Sequence, residues 1–492
     1  MAQASRGEGR RASASVRHRG GARPLSPPPA SPAVDPASFR DPSGHVFRRD
    51  GILLRQIQPS GAADWAAFHE GGLYGALVGD SLLVEHEEAA LELAAQPGAV
   101  AVIRPRELEV ISYPYEWCFS QLREAALLTL ELQRRAIGAG MRLKDASAYN
   151  IQFDRGRPIL IDSLSFEVAD PAEPWPGYRQ FCEHFLAPLA LIAYRDARLG
   201  LLTRDFIDGV PLDLAARLLP GRTRLRPGLL AHLHLHAGAQ RRGMGAGDAL
   251  AMRRPARRMT KLGQEALLDS LRRTVEGLHW EPRGTWIDYG TETSYTRAGA
   301  EAKRSTVERM IGGSGPRVIW DIGANVGTYS SVAAGDGRLV LAFDQDAGSV
   351  ERHWRALKPE ARASVLPLVM DLTNPSPSLG WALEERRSLL DRGPADLILA
   401  LALVHHVAIG NNVPLPMIAA LFARLGRRAI VEFVPKDDPM TQRLLAARPD
   451  IFPDYTLDGF RAAFARSFRI VEEAPIADSL RTLFLLEARQ AR

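Results

Sequence analysis

The chain has 492 residues, of which 46% are hydrophobic and 24% charged, and its formal net charge is +5. This length predicts two or three domains, and the composition is that of a globular protein without the roughly 18 consecutive apolar residues of a membrane span. The two cysteines, Cys118 and Cys182, exclude a disulfide scaffold and lack metal-site spacing, which favours a reducing, cytoplasmic setting.

The chain begins with a basic segment that is rich in arginine, serine and proline. Residues 1–42 include the proline-rich run 24–32 and contain no apolar stretch of the kind that a secretory signal needs. Such a segment cannot bury enough apolar surface to offset the entropy lost on ordering. The sequence therefore predicts a disordered tail over residues 1–42, unless translation starts further downstream.

Short apolar runs separated by turn residues follow the tail and lead into a long amphipathic segment. The runs 52–57, 81–84 and 100–103 have the length and composition of strands. Residues 120–137 carry apolar side chains at helical spacing and are predicted to form a helix. We therefore expect residues 43–220 to fold as an α+β domain.

A polar motif follows this helix. Asp145 and Asn150 lie five residues apart, and Asp162 ends the next apolar run. The motif resembles the catalytic loop and the metal-binding aspartate of kinase-like phosphotransferases. The resemblance implies that Asp145 orients a hydroxyl nucleophile, while Asn150 and Asp162 hold magnesium on the phosphates.

The motif departs from that family at several positions. Leu143 and Lys144 stand where the family has His-Arg, and Asp162 is followed by Ser-Leu in place of Phe-Gly. No lysine occurs between residues 46 and 142, and no glycine-rich phosphate loop is evident there. Two interpretations stay open: a degenerate kinase-like domain, or a domain in which these polar residues only cap turns.

A second basic zone covers residues 217–261, and residues 221–260 within it are predicted to link two domains. Such a zone either binds nucleic acid or an anionic surface, or is simply a solvated face. Nucleic acid therefore stays open as a partner of the chain.

Three histidines, His232, His234 and His236, alternate with leucines in this zone. On a strand they would share one face and could bind a metal ion. The preceding Pro227 and Gly228 favour the start of a helix instead, which would scatter the three side chains. No metal site is predicted.

The most informative stretch of the chain is residues 317–329. An apolar strand, 318–322, runs into a turn in which Asp321, Gly323 and Gly327 give the spacing D-x-G-x-x-x-G. Glycines let such a turn approach a ligand closely, and the first amides of the following helix favour polar or anionic groups. An acid at the strand end would repel phosphate but suits a ligand with an amino group or a positive charge.

Apolar runs continue to alternate with helical segments after this motif. The predicted strands are 339–344, 364–371, 396–403 and 428–434, the predicted helices are 350–357, 377–390 and 416–425, and a closing strand pair is 468–472 and 481–487. Such alternation indicates a parallel sheet with helices on both faces.

Together these features resemble the class I S-adenosylmethionine-dependent methyltransferases over residues 261–492. The predicted fold class is α/β: a seven-stranded, mostly parallel, Rossmann-like methyltransferase sheet, preceded by the α+β domain for which a kinase-like origin is open. The resemblance implies that the cofactor is S-adenosyl-L-methionine.

The resemblance also assigns roles to the glycine turn. Gly323 and Gly327 would shape the loop around the cofactor, and Asp321 would lie near the methionine ammonium group, directly or through water. Asn325 stands where dinucleotide-binding loops have their middle glycine, which distinguishes this turn from theirs.

Two further acids lie where the family binds the nucleoside. The resemblance places Asp344 at the ribose hydroxyls and Asp371 at the adenine amino group. Asp346 is an alternative to Asp344 for the ribose.

Two histidines follow the fourth predicted strand. In many small-molecule methyltransferases a histidine at this place accepts a hydroxyl proton, so His405 and His406 are the candidate catalytic residues. Alternatively, they are a polar pair that is hydrogen-bonded at a strand end. Upstream of the sheet, Tyr289 and Tyr295 either cover the cofactor or substrate, or belong to the core.

No Asn-Pro-Pro-Tyr or Asp-Pro-Pro-Tyr motif follows the fourth strand, which argues against the family's adenine and glutamine N-methyltransferases. We predict a cytoplasmic enzyme that O-methylates, or N-methylates, a small molecule or a glycan. Two alternatives stay open: an RNA methyltransferase that uses the basic zone, and a non-catalytic scaffold that binds the cofactor and carries a degenerate kinase-like domain.

Overall fold

The computed structural model describes residues 34–170, 173–238, 259–282, 295–335, 337–446 and 448–489. Most of the predicted tail, part of the basic zone and Tyr289 lie outside these residues. No helix in the described ranges has the length and apolar character needed to cross a membrane.

The N-terminal half is built from short strands and helices. Its strands are β1 (Gly44–Arg49), β2 (Ile52–Ile57), β3 (His86–Ala89), β4 (Ala101–Pro105), β5 (Met141–Leu143), β6 (Ile151–Asp154), β7 (Arg157–Leu160) and β8 (Phe166–Val168). Its helices are α1 (Ala62–Glu70), α2 (Leu73–Gly79), α3 (Phe119–Gly138), α4 (Tyr178–Phe181), α5 (Ala187–Tyr194), α6 (Leu202–Asp205), α7 (Leu212–Leu218) and α8 (Pro227–Leu229).

An antiparallel sheet in the order β1-β2-β4-β3 opens this half. The long helix α3 is its central element, and the predicted helix over 120–137 is confirmed. The side chain of Gln121 accepts the N–H of Cys118 at 2.9 Å, which closes a capping box at the start of α3. Leu122, Ala126 and Leu130 on its apolar stripe are buried in the main core.

One predicted strand of this half is wrong. Residues 81–84 form a turn after α2, in which Ser81 has a left-handed φ of 57°. Leu83 makes only an isolated bridge to Leu160 of β7. The run is apolar because Leu83 and Val84 are buried, and the strand begins later, at β3.

The C-terminal half alternates strands and helices. Its strands are β9 (Val318–Ile322), β10 (Leu339–Asp344), β11 (Val365–Val369), β12 (Ala395–Ala400), β13 (Gly426–Phe433), β14 (Phe468–Pro475) and β15 (Thr482–Ala488). Its helices are α9 (Lys261–Glu276), α10 (Arg297–Ser314), α11 (Thr328–Ala333), α12 (Ala347–Ala356), α13 (Pro359–Arg362), α14 (Leu415–Leu425), α15 (Pro439–Leu445) and α16 (Leu457–Phe464).

These strands form the predicted seven-stranded sheet, in the order β11-β10-β9-β12-β13-β15-β14. β9 to β13 are parallel, and β15 is antiparallel to both of its neighbours. In such an open sheet the carboxyl ends of the parallel strands lie at one edge, where ligands bind. The strand order reverses between β9 and β12, so β9 lies at the switch point.

The predicted helix over 377–390 is wrong. The segment contains a single short turn, Trp381–Leu383, and an isolated bridge between Leu379 and Arg386. Gly380 has a φ of 83°, and Ala382 and Leu383 are also left-handed. Consecutive left-handed residues cannot belong to a right-handed helix.

The two halves are in direct contact. α9, which belongs to the predicted methyltransferase region 261–492, packs along α3 of the N-terminal half. Arg272 of α9 pairs with Glu131 of α3 at 3.1 Å. The exact boundary between the two domains stays a prediction.

Candidate functional site

The glycine turn after β9 is tied to the end of β10. Gly323 and Gly327 have left-handed φ values of 79° and 82°, and Asn325 has a φ of 49°. The N–H groups of Gly323 and Ala324 both donate to the carbonyl of Phe343, at 2.8 and 2.9 Å. This arrangement fixes the turn above the sheet edge.

Gly327 is a position where no side chain fits. A Cβ atom there would lie 1.9 Å from Nε2 of His353, a buried residue of α12. Because the left-handed backbone also disfavours a side chain, both the conformation and the packing require glycine.

Asp321 lies beneath the turn. Its side chain is buried, and its Oδ2 accepts the hydroxyl of Ser330 of α11 at 2.6 Å. Burial raises the pKa of Asp321 to about 6, against the Ser330 hydrogen bond, which lowers it. Asp321 therefore links strand, turn and helix.

Asp344 ends β10 and turns its carboxylate towards the glycine turn. Oδ2 accepts the N–H of Asn325 at 2.8 Å, and Oδ1 accepts the N–H of Asp346 at 2.9 Å. Burial raises the pKa of Asp344 to about 6. Each oxygen of such a carboxylate keeps a lone pair for a further donor.

Asp346, the predicted alternative, has a different task. It is the N-cap of α12, and its two oxygens accept the N–H of Gly348 and the hydroxyl of Ser349, each at 3.0 Å. This geometry favours Asp344 over Asp346 as the acid that faces the turn.

Asp371 follows β11 by two residues and is half-buried. Its Oδ1 accepts both the N–H and the hydroxyl of Thr373, at 2.8 and 2.7 Å. The N–H of Met370 donates to the carbonyl of Asp344 at 2.8 Å, so the two acids lie on adjacent strand ends.

This set of groups fits S-adenosylmethionine. Carboxylates at neighbouring strand ends accept the hydroxyl and amino groups of a nucleoside and complement an ammonium or sulfonium charge. The turn that would cover the ligand has no room for a side chain at Gly327.

His405 and His406 lie on a helical turn after β12, which ends at Ala400 and not at residue 403 as predicted. His405 is buried, and neither of its ring nitrogens has a hydrogen-bond partner among the described residues. The two rings lie 4.2 Å apart, and His406 is half-buried. Burial lowers the pKa of His405 well below its usual range and that of His406 to about 4, so both are neutral at pH 7.

The sequence did not reveal a buried charged cluster beside these histidines. Glu432 of β13 pairs with Lys303 of α10 at 2.6 Å and with Arg481 at 3.1 Å, and it accepts the hydroxyl of Tyr295 at 2.5 Å. Burial would raise the pKa of Glu432, but Lys303 and Arg481 outweigh it and hold the pKa at about 2. The available signal was an acid inside the apolar run 428–434.

Glu432 also shapes the turn that carries the histidines. Its Oε2 accepts the N–H of Ala402 at 2.9 Å, and Ala402 has a left-handed φ of 50°. Lys303 lies 4.7 Å from the ring centre of Tyr329, in the helix after the glycine turn. The cluster thus connects β12, β13, α10 and α11 around one end of the sheet.

The predicted polar motif of the N-terminal half also comes together. Asp162 pairs with Arg55 of β2 at 2.5 Å and accepts the hydroxyl of Ser165 at 2.8 Å. The side chain of Asn150 donates to the same hydroxyl oxygen at 3.3 Å. Asp145 accepts the side-chain amide of Gln180 at 2.7 Å.

The three histidines of the basic zone have separate partners. A helix begins at Pro227, as predicted. His232 contacts Tyr178 and Ser270, and His234 contacts Thr223. The described residues contain no group of three or more side chains that could hold a metal ion.

Comparison with known proteins gives one relative that spans almost the whole chain. Nodulation protein NoeA of Rhizobium meliloti (strain 1021) is 35% identical over 460 residues, which cover 92% of this chain and 95% of that protein. No protein-family model matches the chain.

Solved structures match part of the chain. They include the magnesium protoporphyrin IX methyltransferase ChlM of Synechocystis PCC 6803, with 18% identity over 39% of this chain and 85% of that one, at a TM-score of 0.28. The N-methyltransferase NodS of Bradyrhizobium japonicum WM9 matches with 10% identity over 39% of this chain and 98% of that one, at a TM-score of 0.30. WbdD matches with 14% identity over 43% of this chain and 46% of that one, at a TM-score of 0.28.

TM-scores this low do not establish a relationship. The assignment depends on the strand order, the glycine turn and the strand-end acids described above. Those features give the C-terminal half the fold of the class I S-adenosylmethionine-dependent methyltransferases, with a site that fits this cofactor. The chain as a whole belongs to the family of nodulation protein NoeA.

Proposed function

We propose that the protein transfers a methyl group from S-adenosylmethionine to a hydroxyl group of a small molecule or a glycan. The observation that carries this proposal is His405, a buried and neutral imidazole at the carboxyl end of β12 without a hydrogen-bond partner among the described residues. A neutral imidazole that is free to accept a proton suits a hydroxyl, which must lose its proton as it is methylated.

The residues of the chain divide this work. When bound, S-adenosylmethionine supplies an electrophilic methyl group. Asp344 accepts the ribose hydroxyls, Asp371 accepts the adenine amino group, and Asp321 complements the ammonium charge beneath the turn. His405 accepts the proton of the acceptor hydroxyl, and positioning of the two reactants contributes the larger part of the rate.

Glu432 positions His405 in this proposal. Its bond to Ala402 holds the left-handed residue at which the chain turns into the histidine segment. Lys303 and Arg481 keep Glu432 ionised, so this bond persists across the physiological pH range.

The experiment is transfer of label from methyl-labelled S-adenosylmethionine to small-molecule, glycan and RNA fractions of a cell lysate. We expect label in the small-molecule or glycan fraction, in a linkage that resists mild base as a methyl ether does. The same assay with His405→Ala should lose the signal. Label confined to RNA would contradict the proposed acceptor class.

We further propose that the N-terminal half is a degenerate kinase-like module without phosphotransfer activity. Asp145, Asn150 and Asp162 form one cluster, but the guanidinium of Arg55 is bonded to Asp162, where such a module would carry magnesium. Incubation with labelled ATP and magnesium should give no protein or lysate phosphorylation above background, and clear incorporation would contradict this proposal.

A cytoplasmic location is also proposed. Cys118 and Cys182 are both buried as free thiols, which is the state that a reducing compartment maintains. Fractionation of cells that produce the tagged protein would test this, and recovery in the extracellular fraction would contradict it.

A further inference from the structure

The N-terminal half covers the side of the sheet where the adenosine acids lie. β11 is the outermost strand in the sheet order, and no other described strand pairs with its outer side. The first turn of α3 lies against it instead. The side chain of Gln121, which is fully buried, donates to the carbonyl of Pro367 in β11 at 2.9 Å.

The same turn of α3 binds the helix that follows the ribose acid. The N–H and the hydroxyl of Ser120 donate to the two carboxylate oxygens of Glu351 in α12, at 2.9 and 2.6 Å. Glu351 is fully buried. A carboxylate at the start of a 20-residue helix is stabilised by the free amides and dipole of that helix.

α12 begins three residues after Asp344, and β11 ends two residues before Asp371. The first turn of α3 therefore contacts α12, which follows the predicted ribose acid Asp344, and β11, which precedes the predicted adenine acid Asp371. A shift of α3 would move these elements with it, because the contacts are buried and directional.

A second contact holds the segment between Asp371 and β12. This described segment has no α-helix of its own, and three of its residues are left-handed. Ordering such a chain costs conformational entropy that partners must offset. The partners come from the N-terminal half.

Glu116, in the short turn Pro114–Glu116, is the main partner. It is fully buried, and it accepts the hydroxyl of Ser376 at 2.5 Å and Nη1 of Arg392 at 2.9 Å, with a second bond from Nη2 of Arg392. It also accepts the N–H of Tyr113 at 2.9 Å. The hydroxyl oxygen of Tyr113 accepts the N–H of Arg387 at 2.7 Å.

We infer that the N-terminal half positions the adenosine end of the donor site, and that Glu116 is the main positioning residue of this half. Glu116 fixes both ends of the segment that leads from Asp371 to β12, while Ser120 and Gln121 fix α12 and β11. This role concerns the methyl donor and is independent of the acceptor proposed above.

The test compares Glu116→Gln with the wild type in the full-length chain. Calorimetry measures binding of S-adenosylhomocysteine and of 5′-methylthioadenosine, which lacks the amino-acid part. Both affinities should fall by about tenfold or more, and by the same factor, because only the adenosine end is disturbed. Hydrogen exchange should increase over residues 371–392 and stay unchanged in α14.

Arg142→Gln is the matched control. Arg142 is a similarly buried arginine, with side-chain exposure of 14% against 10% for Arg392, and it pairs with Glu167 and Glu173, both in the N-terminal half. The Arg142→Gln variant should have a lower melting temperature, but its affinities for S-adenosylhomocysteine and 5′-methylthioadenosine should change by no more than about twofold. Unchanged affinities in Glu116→Gln with a lowered melting temperature would overturn the inference.

Ser376→Ala provides a milder variant in case Glu116→Gln does not fold. It removes one bond to Glu116 and leaves the Arg392 pair in place. A two- to fivefold loss of affinity for both ligands is expected. Unchanged affinities, or a lower affinity for S-adenosylhomocysteine alone, would contradict this positioning role.

Discussion

The two halves of the chain each hold a cluster of half-buried acids, and the clusters differ in which groups bind the carboxylates. In the N-terminal half Asp162 is neutralised by Arg55, and Asp145 is bonded to Gln180. In the C-terminal half Asp344 accepts backbone N–H groups, its pKa is raised to about 6, and His405 has no partner among the described residues. The Arg55 pair neutralises the first cluster from within the chain, whereas the second has no such cation at Asp344, and we propose that it binds the methyl donor.

The largest effect is expected from His405→Ala. Loss of a general base slows proton transfer by about 100- to 10,000-fold. Methyl transfer to the acceptor fraction should fall by that factor while binding of S-adenosylhomocysteine, measured by calorimetry, is retained. A variant with wild-type transfer rates would show that His405 is only part of the packing.

Asp162→Ala should mainly reduce stability. It leaves the Arg55 guanidinium buried without its main partner, and breaking a buried pair in this way costs about 3–5 kcal/mol. Denaturant unfolding would measure the loss. A decrease of less than about 1 kcal/mol in the free energy of unfolding would show that the Arg55–Asp162 pair does not stabilise the N-terminal cluster in the way described.

The sequence predicted the site in the C-terminal half more completely than its surroundings. The glycine turn and the acids at strand ends are local patterns, so the residues themselves carry the information. Glu432, Lys303, Arg481 and Tyr295 meet from distant positions, with Tyr295 and Glu432 137 residues apart in sequence. No local pattern encodes such a contact.

The same limit explains the errors in secondary structure. Residues 81–84 are apolar because the core needs them, and not because they pair as a strand. The segment 377–390 has helix-forming residues but takes its shape from left-handed positions and from Tyr113 of the other half, while Glu116 bonds the flanking Ser376 and Arg392. The polar motif of the N-terminal half was visible, but Arg55 as the cation at Asp162 was not.

A smaller effect is expected from pH. Asp344 must be ionised to accept two ribose hydroxyls, and burial raises its pKa to about 6. Affinity for S-adenosylhomocysteine should therefore fall about tenfold between pH 7 and pH 5, as expected for one group with this pKa. Affinity that is constant over this range would contradict the raised pKa.

Stability of the ligand-free protein should follow the opposite trend. Because the folded pKa lies above the unfolded value of about 4, ionisation disfavours the folded state. This contribution is fully favourable below pH 4 and is lost as the pH rises to about 6. Thermal unfolding at several pH values, with Asp344→Asn as control, would isolate it.

The smallest effect is expected from Asp346→Ala. Removing an N-cap costs about 1 kcal/mol of stability, since Asp346 caps α12. Affinity for S-adenosylhomocysteine should change far less than in a variant of Asp344. A larger loss of affinity in Asp346→Ala would reverse the assignment of the ribose acid.

The most direct measurement is calorimetric titration of the wild type and of Asp344→Ala with S-adenosylhomocysteine at pH 7.5. The wild type should bind one equivalent, and the variant should bind about 100-fold more weakly, because two charge-assisted hydrogen bonds to the ribose are lost. Equal affinities, or no binding to the wild type, would contradict a donor site at the carboxyl ends of β9, β10 and β11.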